Sequence, residues 1–282
     1  MLTINNICKR YDEKKVLNGV TITIPTGSIY GLIGKNGAGK TTLMSIVAGL
    51  QKADSGTIEK GGRVISYLPD IPGFYDYLTC KEYLNFLLAD WKGDKKERSE
   101  YLLSLVSLDG KTVIKNMSRG MKQRLGIAAS LVNNPDIILF DEPTSALDPA
   151  GRIELMEIIV KLKQQGKTIV LSTHILADME KICDEVGFLH DGIIKKSYSV
   201  KDLEKDSSFI VEFKNLYQHT SYCDFLTEKM ESDTIVRFEL KDNSLDNQKR
   251  FFTYLGTLDN QILSIKNEVC SLDELFKEIC GV

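Results

Sequence analysis

Short apolar runs alternate along the chain with segments whose apolar residues recur at helical spacing. SIYGLIG precedes KTTLMSIVAGL, DIILF precedes GRIELMEIIVKLKQQ, KTIVLST precedes ILADMEKIC, and EVGFLH closes the series. Short runs rich in Ile, Val and Leu fit strands buried on both faces. Strand and helix in alternation predict an α/β fold, a largely parallel sheet with helices on its faces. The opening LTINNICKRYDEKKVLNGVTITIP differs, because its short alternating strands and turn residues leave no room for a helix. It predicts a small antiparallel β layer. Between Thr79 and Leu108, TCKEYLNFLLADW and DKKERSEYLLSLVSL read as two inserted amphipathic helices, and the mixed charges of DKKERSE as a solvated helix face. Further on, FIVEFK, SYCDFLTEKM, TIVRFEL, NQKRFFTYL, QILSIKN and SLDELFKEI read as strand, helix, strand, helix, strand and helix. The expected organisation is a main domain over residues 1–206 and an accessory α/β domain over residues 207–282.

Composition narrows the function classes. The chain has 282 residues and a formal net charge of -3, so no overall basic field argues for nucleic acid or anionic lipid as the main partner. Its six cysteines are widely spaced and form no C-x-x-C pair, against a zinc site or a disulfide framework. No stretch approaches the ~20 apolar residues of a membrane span. A cytosolic chain is expected, or one attached to a membrane through another protein.

The chemistry gathers in three segments. GKNGAGKTT fits the pattern G-x-x-x-x-G-K-[ST] and stands between a predicted strand and a predicted helix. Gly34, Asn36, Gly37, Ala38, Gly39, Lys40, Thr41 and Thr42 would turn backbone N–H groups toward phosphate oxygens, with Lys40 on the β- and γ-phosphates and the Thr41 hydroxyl on Mg²⁺. IILFDEP ends an apolar strand in two carboxylates: Asp141 can hold Mg²⁺ through water, and Glu142 can orient or deprotonate an attacking water. A small-molecule kinase would use the loop and Asp141 but has no need of Glu142. NMSRGMKQRLGI is a second anion-binding pattern: Ser118 is a good N-cap, and Gly120 lets the backbone approach an anion closely.

Taken in order, these segments resemble the nucleotide-binding subunit of ATP-binding cassette (ABC) transporters over approximately residues 1 to 205. GKNGAGKTT resembles the Walker A loop, IILFDEP the Walker B strand with its catalytic glutamate, and SALD, from Ser145 to Asp148, the D-loop. The resemblance makes His174 the switch histidine on the γ-phosphate and Tyr11 the aromatic that stacks on adenine. MSRGMKQR resembles the signature sequence, which closes over the ATP of the other cassette in a head-to-tail dimer, so Ser118 and Gly120 would serve a neighbour's nucleotide.

Three positions depart from the family pattern. Arg119 stands where Gly is usual and Met121 where Gln is usual, as in cassettes of drug and bacteriocin exporters and related ABC-2 type systems. Asp70 replaces the Gln of the Q-loop; a carboxylate there can still approach Mg²⁺ or the attacking water, so Asp70 is retained as a catalytic and metal-binding residue. The following Phe74, Tyr75, Tyr77 and Leu78 would lie near the groove for a short helix of the membrane subunit. The resemblance implies an ATP- and Mg²⁺-dependent exporter subunit, peripheral on the cytoplasmic face of the membrane. Its partners would be a separate transmembrane permease and a second ABC ATPase subunit, with a homodimer expected and no nucleic acid. Chromosome and repair ATPases need a long coiled coil between Lys40 and Ser118, and ribosome factors carry two cassettes, whereas this sequence has a single GKT and a single DEPTSALD. A regulatory module that hardly turns over would not need Glu142.

Overall fold

The structure is a computed structural model that describes residues 1–145, 147–203, 208–217, 223–241, 244–258, 261–268 and 271–281. It divides into two compact units, Met1–Ser197 with Ile279–Val282, and Tyr198–Glu278. The expected boundary between residues 206 and 207 lies outside the described residues.

In the first unit the chain runs β1 (Leu2–Tyr11), β2 (Lys14–Ile24), β3 (Ile29–Ile33), α1 (Lys40–Val47), β4 (Ser55–Glu59), β5 (Ile65–Leu68), α2 (Cys80–Leu87), α3 (Lys95–Leu105), α4 (Arg119–Ser130), β6 (Ile137–Asp141), α5 (Pro149–Gln164), β7 (Thr168–Ser172), α6 (Leu176–Ile182), β8 (Glu185–His190) and β9 (Ile193–Ser199), whose last two residues belong to the second unit. β1 pairs antiparallel with β2 and β4, the predicted small β layer. The larger sheet has the order β5-β6-β7-β3-β8-β9, and β5 to β8 pair in parallel throughout. Every residue of β3, β6 and β7 is buried, which is why their sequences are continuous apolar runs rather than alternations.

Helix α1 is too short to persist alone. Its Leu43, Met44, Ile46 and Val47 share one core with Ile4, Val20 and Ile22 of the antiparallel layer and Leu32, Leu139 and Val170 of the parallel sheet. Burial contributes about 1.5–3 kcal/mol for each such side chain, so tertiary packing holds the helix in place. Because β3, β6 and β7 run the same way, the segments that follow them emerge at one edge of the sheet, where ligands of open α/β sheets bind.

The second unit comprises α7 (Val200–Leu203), β10 (Ser208–Phe213), β11 (Leu226–Met230), β12 (Ile235–Leu240), α8 (Leu245–Thr257), β13 (Ile262–Glu268) and α9 (Leu272–Cys280), whose last two residues belong to the first unit. Its strands form an antiparallel sheet in the order β11-β12-β10-β13, over a core that includes Phe209, Phe213, Phe238 and Phe251. Residues 226–230 of SYCDFLTEKM form a strand, not part of a helix, and residues 221–222 lie outside the described residues. A short apolar run fits either period, and pairing with β12 from Leu226↔Leu240 to Met230↔Val236 decides it.

The chain end returns to the first unit, where the Lys35 ammonium donates to the Cys280 carbonyl at 3.0 Å. A chain ending at Asp206 loses that bond but keeps every phosphate motif. It is expected to fold and to bind ATP within about fivefold of the full chain, the worth of one hydrogen bond. Nucleotide titration checks this, and loss of both folding and binding would show that the removed segment completes the core.

Candidate nucleotide site

Residues Gly34 to Gly39 leave β3 and enter α1 through backbone that side chains resist. Gly39 caps α1 at φ 105°, and a Cβ at Gly34 would stand 2.5 Å from the Leu189 carbonyl oxygen. No side chain caps the first turn of α1, so its N–H groups are left to donate to an anion. The pocket in front of them is lined by Val16, Asn36, Gly37, Gly39, Lys40, Thr41 and Thr42, and by Asp70, Asp141 and Glu142 from other segments. Most of the predicted loop residues therefore meet the predicted carboxylates. Ala38 packs against the core instead, and Gly34 contributes its carbonyl, which accepts from the Lys40 ammonium at 2.7 Å.

The carboxylates are braced individually. Asp141, 2% exposed, accepts from Ser172 Oγ at 2.7 Å and from the Tyr67 hydroxyl at 3.2 Å. The parallel register sets Asp141 of β6 level with Ser172 of β7. Ser172 Oγ also accepts from the Glu142 backbone N–H at 3.0 Å, so one hydroxyl fixes both acidic residues. Glu142 lies in the left-handed region at φ 49°, a strained conformation of the kind stored at functional sites. Its carboxylate is 2.9 Å from His174 Nδ1 and 3.9 Å from Lys40 Nζ. Asp70 accepts from the Ser145 hydroxyl at 2.6 Å.

Electrostatics suit an anionic ligand. Burial pulls the Lys40 ammonium below its usual pKa, opposed by the charges of Glu142 and Asp141. Burial and the charge of Asp141 push the Tyr67 hydroxyl up to about 12, so it stays protonated as a donor. The Thr41 hydroxyl and the carboxylates of Asp141 and Asp70 line one pocket with hard oxygen donors, which fit Mg²⁺.

Three predicted groups lie apart from this pocket's lining, of which His174 reaches it through its contact with Glu142. Tyr11, 44% exposed, donates its hydroxyl to Gln51 Oε1 at 2.5 Å. Ser118 caps α4 by accepting from the Met121 N–H at 3.2 Å, and with Arg119, Gly120, Met121, Arg124, Leu147, Asp148 and Gly151 it lines a second open pocket. Sequence reasoning missed Val16, Tyr67 and Ser172. Only Ser172 leaves a trace, a polar end to the apolar run TIVLS, and its partner depends on strand register.

A phosphate loop, a buried aspartate and a glutamate–histidine pair around one pocket define a P-loop nucleoside triphosphatase. The family described as ABC transporter matches residues 17–145. The bacitracin transport ATP-binding protein BcrA of Enterococcus faecalis is 35% identical over 304 residues, covering 100% of this chain and 96% of that protein. The lantibiotic transport ATP-binding protein SrtF of Streptococcus pyogenes is 40% identical over 210 residues, covering 70% and 91%. A solved dimeric ATP-binding cassette in a post-hydrolysis state, bound to ADP and Pi, matches with a TM-score of 0.66 and 25% identity over 71% of this chain and 99% of that one. This chain belongs to the ABC transporter family of ATP-binding proteins, and its reaction is ATP hydrolysis.

Proposed function

We propose that this chain is the ATP-hydrolysing subunit of an ABC exporter, working as a head-to-tail homodimer on the cytoplasmic face of a membrane against a separate transmembrane permease. The observation that carries the reading is Glu142, held between His174 and Lys40 at the edge of the phosphate pocket. Lys40 and the N–H groups of the loop take the β- and γ-phosphates, with Tyr11 stacking on adenine. Thr41, Asp141 and Asp70 would hold Mg²⁺, which would supply charge neutralisation at the phosphates. Glu142 accepts the proton of the attacking water, while His174, anchored on Glu142, meets the γ-phosphate. Ser118 and Gly120 close over the ATP of the second chain from a pocket that Leu147 and Asp148 also line, while Ser145 bonds to Asp70. ATP thus favours the closed pair and hydrolysis the open one, a ligand-biased two-state motion.

The route to the membrane subunit is a set of aromatic residues after Asp70. Tyr77 is 77% exposed and Ile71 likewise 77%, whereas Phe74 turns edge-on to Tyr83 with ring centroids 5.3 Å apart. The same segment is tied to the signature helix, because Asp76 pairs with Lys122 of α4 at 3.0 Å and its carbonyl accepts from the Lys115 N–H at 2.9 Å. Among the described residues no helix is long and apolar enough to cross a membrane. The bacitracin and lantibiotic relatives support a peptide-like cargo for export. Affinity purification of the tagged chain from detergent-solubilised membranes is expected to retain a polytopic membrane protein, and Tyr77→Asp to release it while ATP binding persists. Retention of RNA in place of a membrane protein would overturn the reading.

A further inference from the structure

We propose that Arg119 is a catalytic cation supplied in trans, its guanidinium contacting the γ-phosphate of ATP held by the second copy of this chain. The proposal rests on the two-copy reading above and adds a residue to its composite site.

Charge on both sides of that site points to Arg119. The phosphate pocket sets one cation, Lys40, against three carboxylates, Asp70, Asp141 and Glu142. A bound Mg²⁺ offsets two of those negative charges, leaving a pocket close to neutral before the triphosphate arrives with its own charge. The second pocket holds the missing cation. Arg119, exposed at the first turn of α4, lines it beside Ser118 and Gly120, the residues assigned to the partner's phosphate. Neighbouring basic side chains are engaged: Lys122 with Asp76 at 3.0 Å, Arg124 with Glu154 at 3.3 Å and Arg152 with Asp178 at 3.9 Å. Among the described residues the Arg119 side chain has neither a hydrogen bond nor an ion pair. Asp70 and Arg119 also replace uncharged residues of the usual motifs, and they carry opposite charges.

In the reaction a water oxygen bonds to the γ-phosphorus as the bond from that phosphorus to the bridging oxygen breaks. The electron pair leaves with the β-phosphate of ADP, and one water proton passes to Glu142 and then to the released phosphate. Negative charge accumulates on the γ-phosphoryl oxygens and the bridging oxygen, where a planar guanidinium binds two oxygens at once.

The test uses the full-length chain. Arg119→Ala is expected to lower kcat at least about a hundredfold, with nucleotide affinity of the separate chain unchanged and Arg119→Lys intermediate. Circular dichroism controls for folding. The decisive readout is mixing Arg119→Ala with Glu142→Gln before ATP is added. The mixed pair contains one site with Glu142 from one chain and Arg119 from the other, so activity should rise to about a quarter of the wild-type rate, half the dimers each with one competent site. Arg119→Ala within threefold of wild type, or no recovery on mixing although Glu142→Gln chains pair with ATP, overturns Arg119. Glu142→Gln chains that never pair with ATP overturn the two-copy reading, and this proposal with it.

Discussion

Glu142→Gln is expected to slow ATP turnover by about 10²–10⁴, the usual worth of a general base, while leaving nucleotide binding intact. The carboxylate that faces His174 Nδ1 at 2.9 Å becomes an amide of the same shape that cannot take the water's proton. With hydrolysis stalled and both phosphate sites preserved, the ATP-bound pair should accumulate. Light scattering with ATP and Mg²⁺ should therefore show doubled mass that disappears without nucleotide. Adding Ser118→Arg should abolish the doubling, because a bulky side chain at the cap of α4 blocks the anion site in trans. A Glu142→Gln chain that binds ATP yet stays monomeric at high concentration defeats self-pairing and leaves a heterodimer with another cassette.

Lys40→Ala is expected to weaken ATP binding by about a hundredfold or more, since charge-assisted hydrogen bonds contribute roughly 1.5–3 kcal/mol each and the proposed site sets Lys40 on two phosphates. Without nucleotide the variant should be no less stable than wild type. Its ammonium is desolvated by burial, and removing it relieves a cost that the Gly34 carbonyl and Glu142 only partly offset. Thermal unfolding separates the effects: ATP should raise the Tm of the wild-type chain and leave that of the variant unmoved. Unchanged affinity would sink the P-loop assignment.

What could be read from the sequence followed how local each feature is. GKNGAGKTT is contiguous, and its glycines, lysine and threonines carry their geometry with them between one strand and one helix. Ser118 was equally legible, because a cap and its helix are neighbours in the chain. The hydroxyls that brace Asp141 were not legible: Tyr67 and Ser172 reach it only because β5, β6 and β7 lie side by side in a particular register. The same limit explains Leu226–Met230, whose short pattern fits a helix until β12 pairs with it. Tyr11 shows a gentler version. Its place at the end of β1 follows from the pattern, but its bond to Gln51, just beyond α1, does not.

The left-handed backbone at Glu142 also shapes how this protein can change over generations. Positive φ excludes β-branched residues far more strongly than Gln, Asn, Asp or Gly. Substitutions that break the fold here are thus chemically unlike those that only silence catalysis. Glutamate codons lie a single base from codons for glutamine and glycine, so a duplicated gene needs little drift to encode a folded chain that clamps ATP without consuming it. Paired with an unmodified copy, such a chain would give an asymmetric motor with one firing site and one latch, reached without passing through an unfolded ancestor.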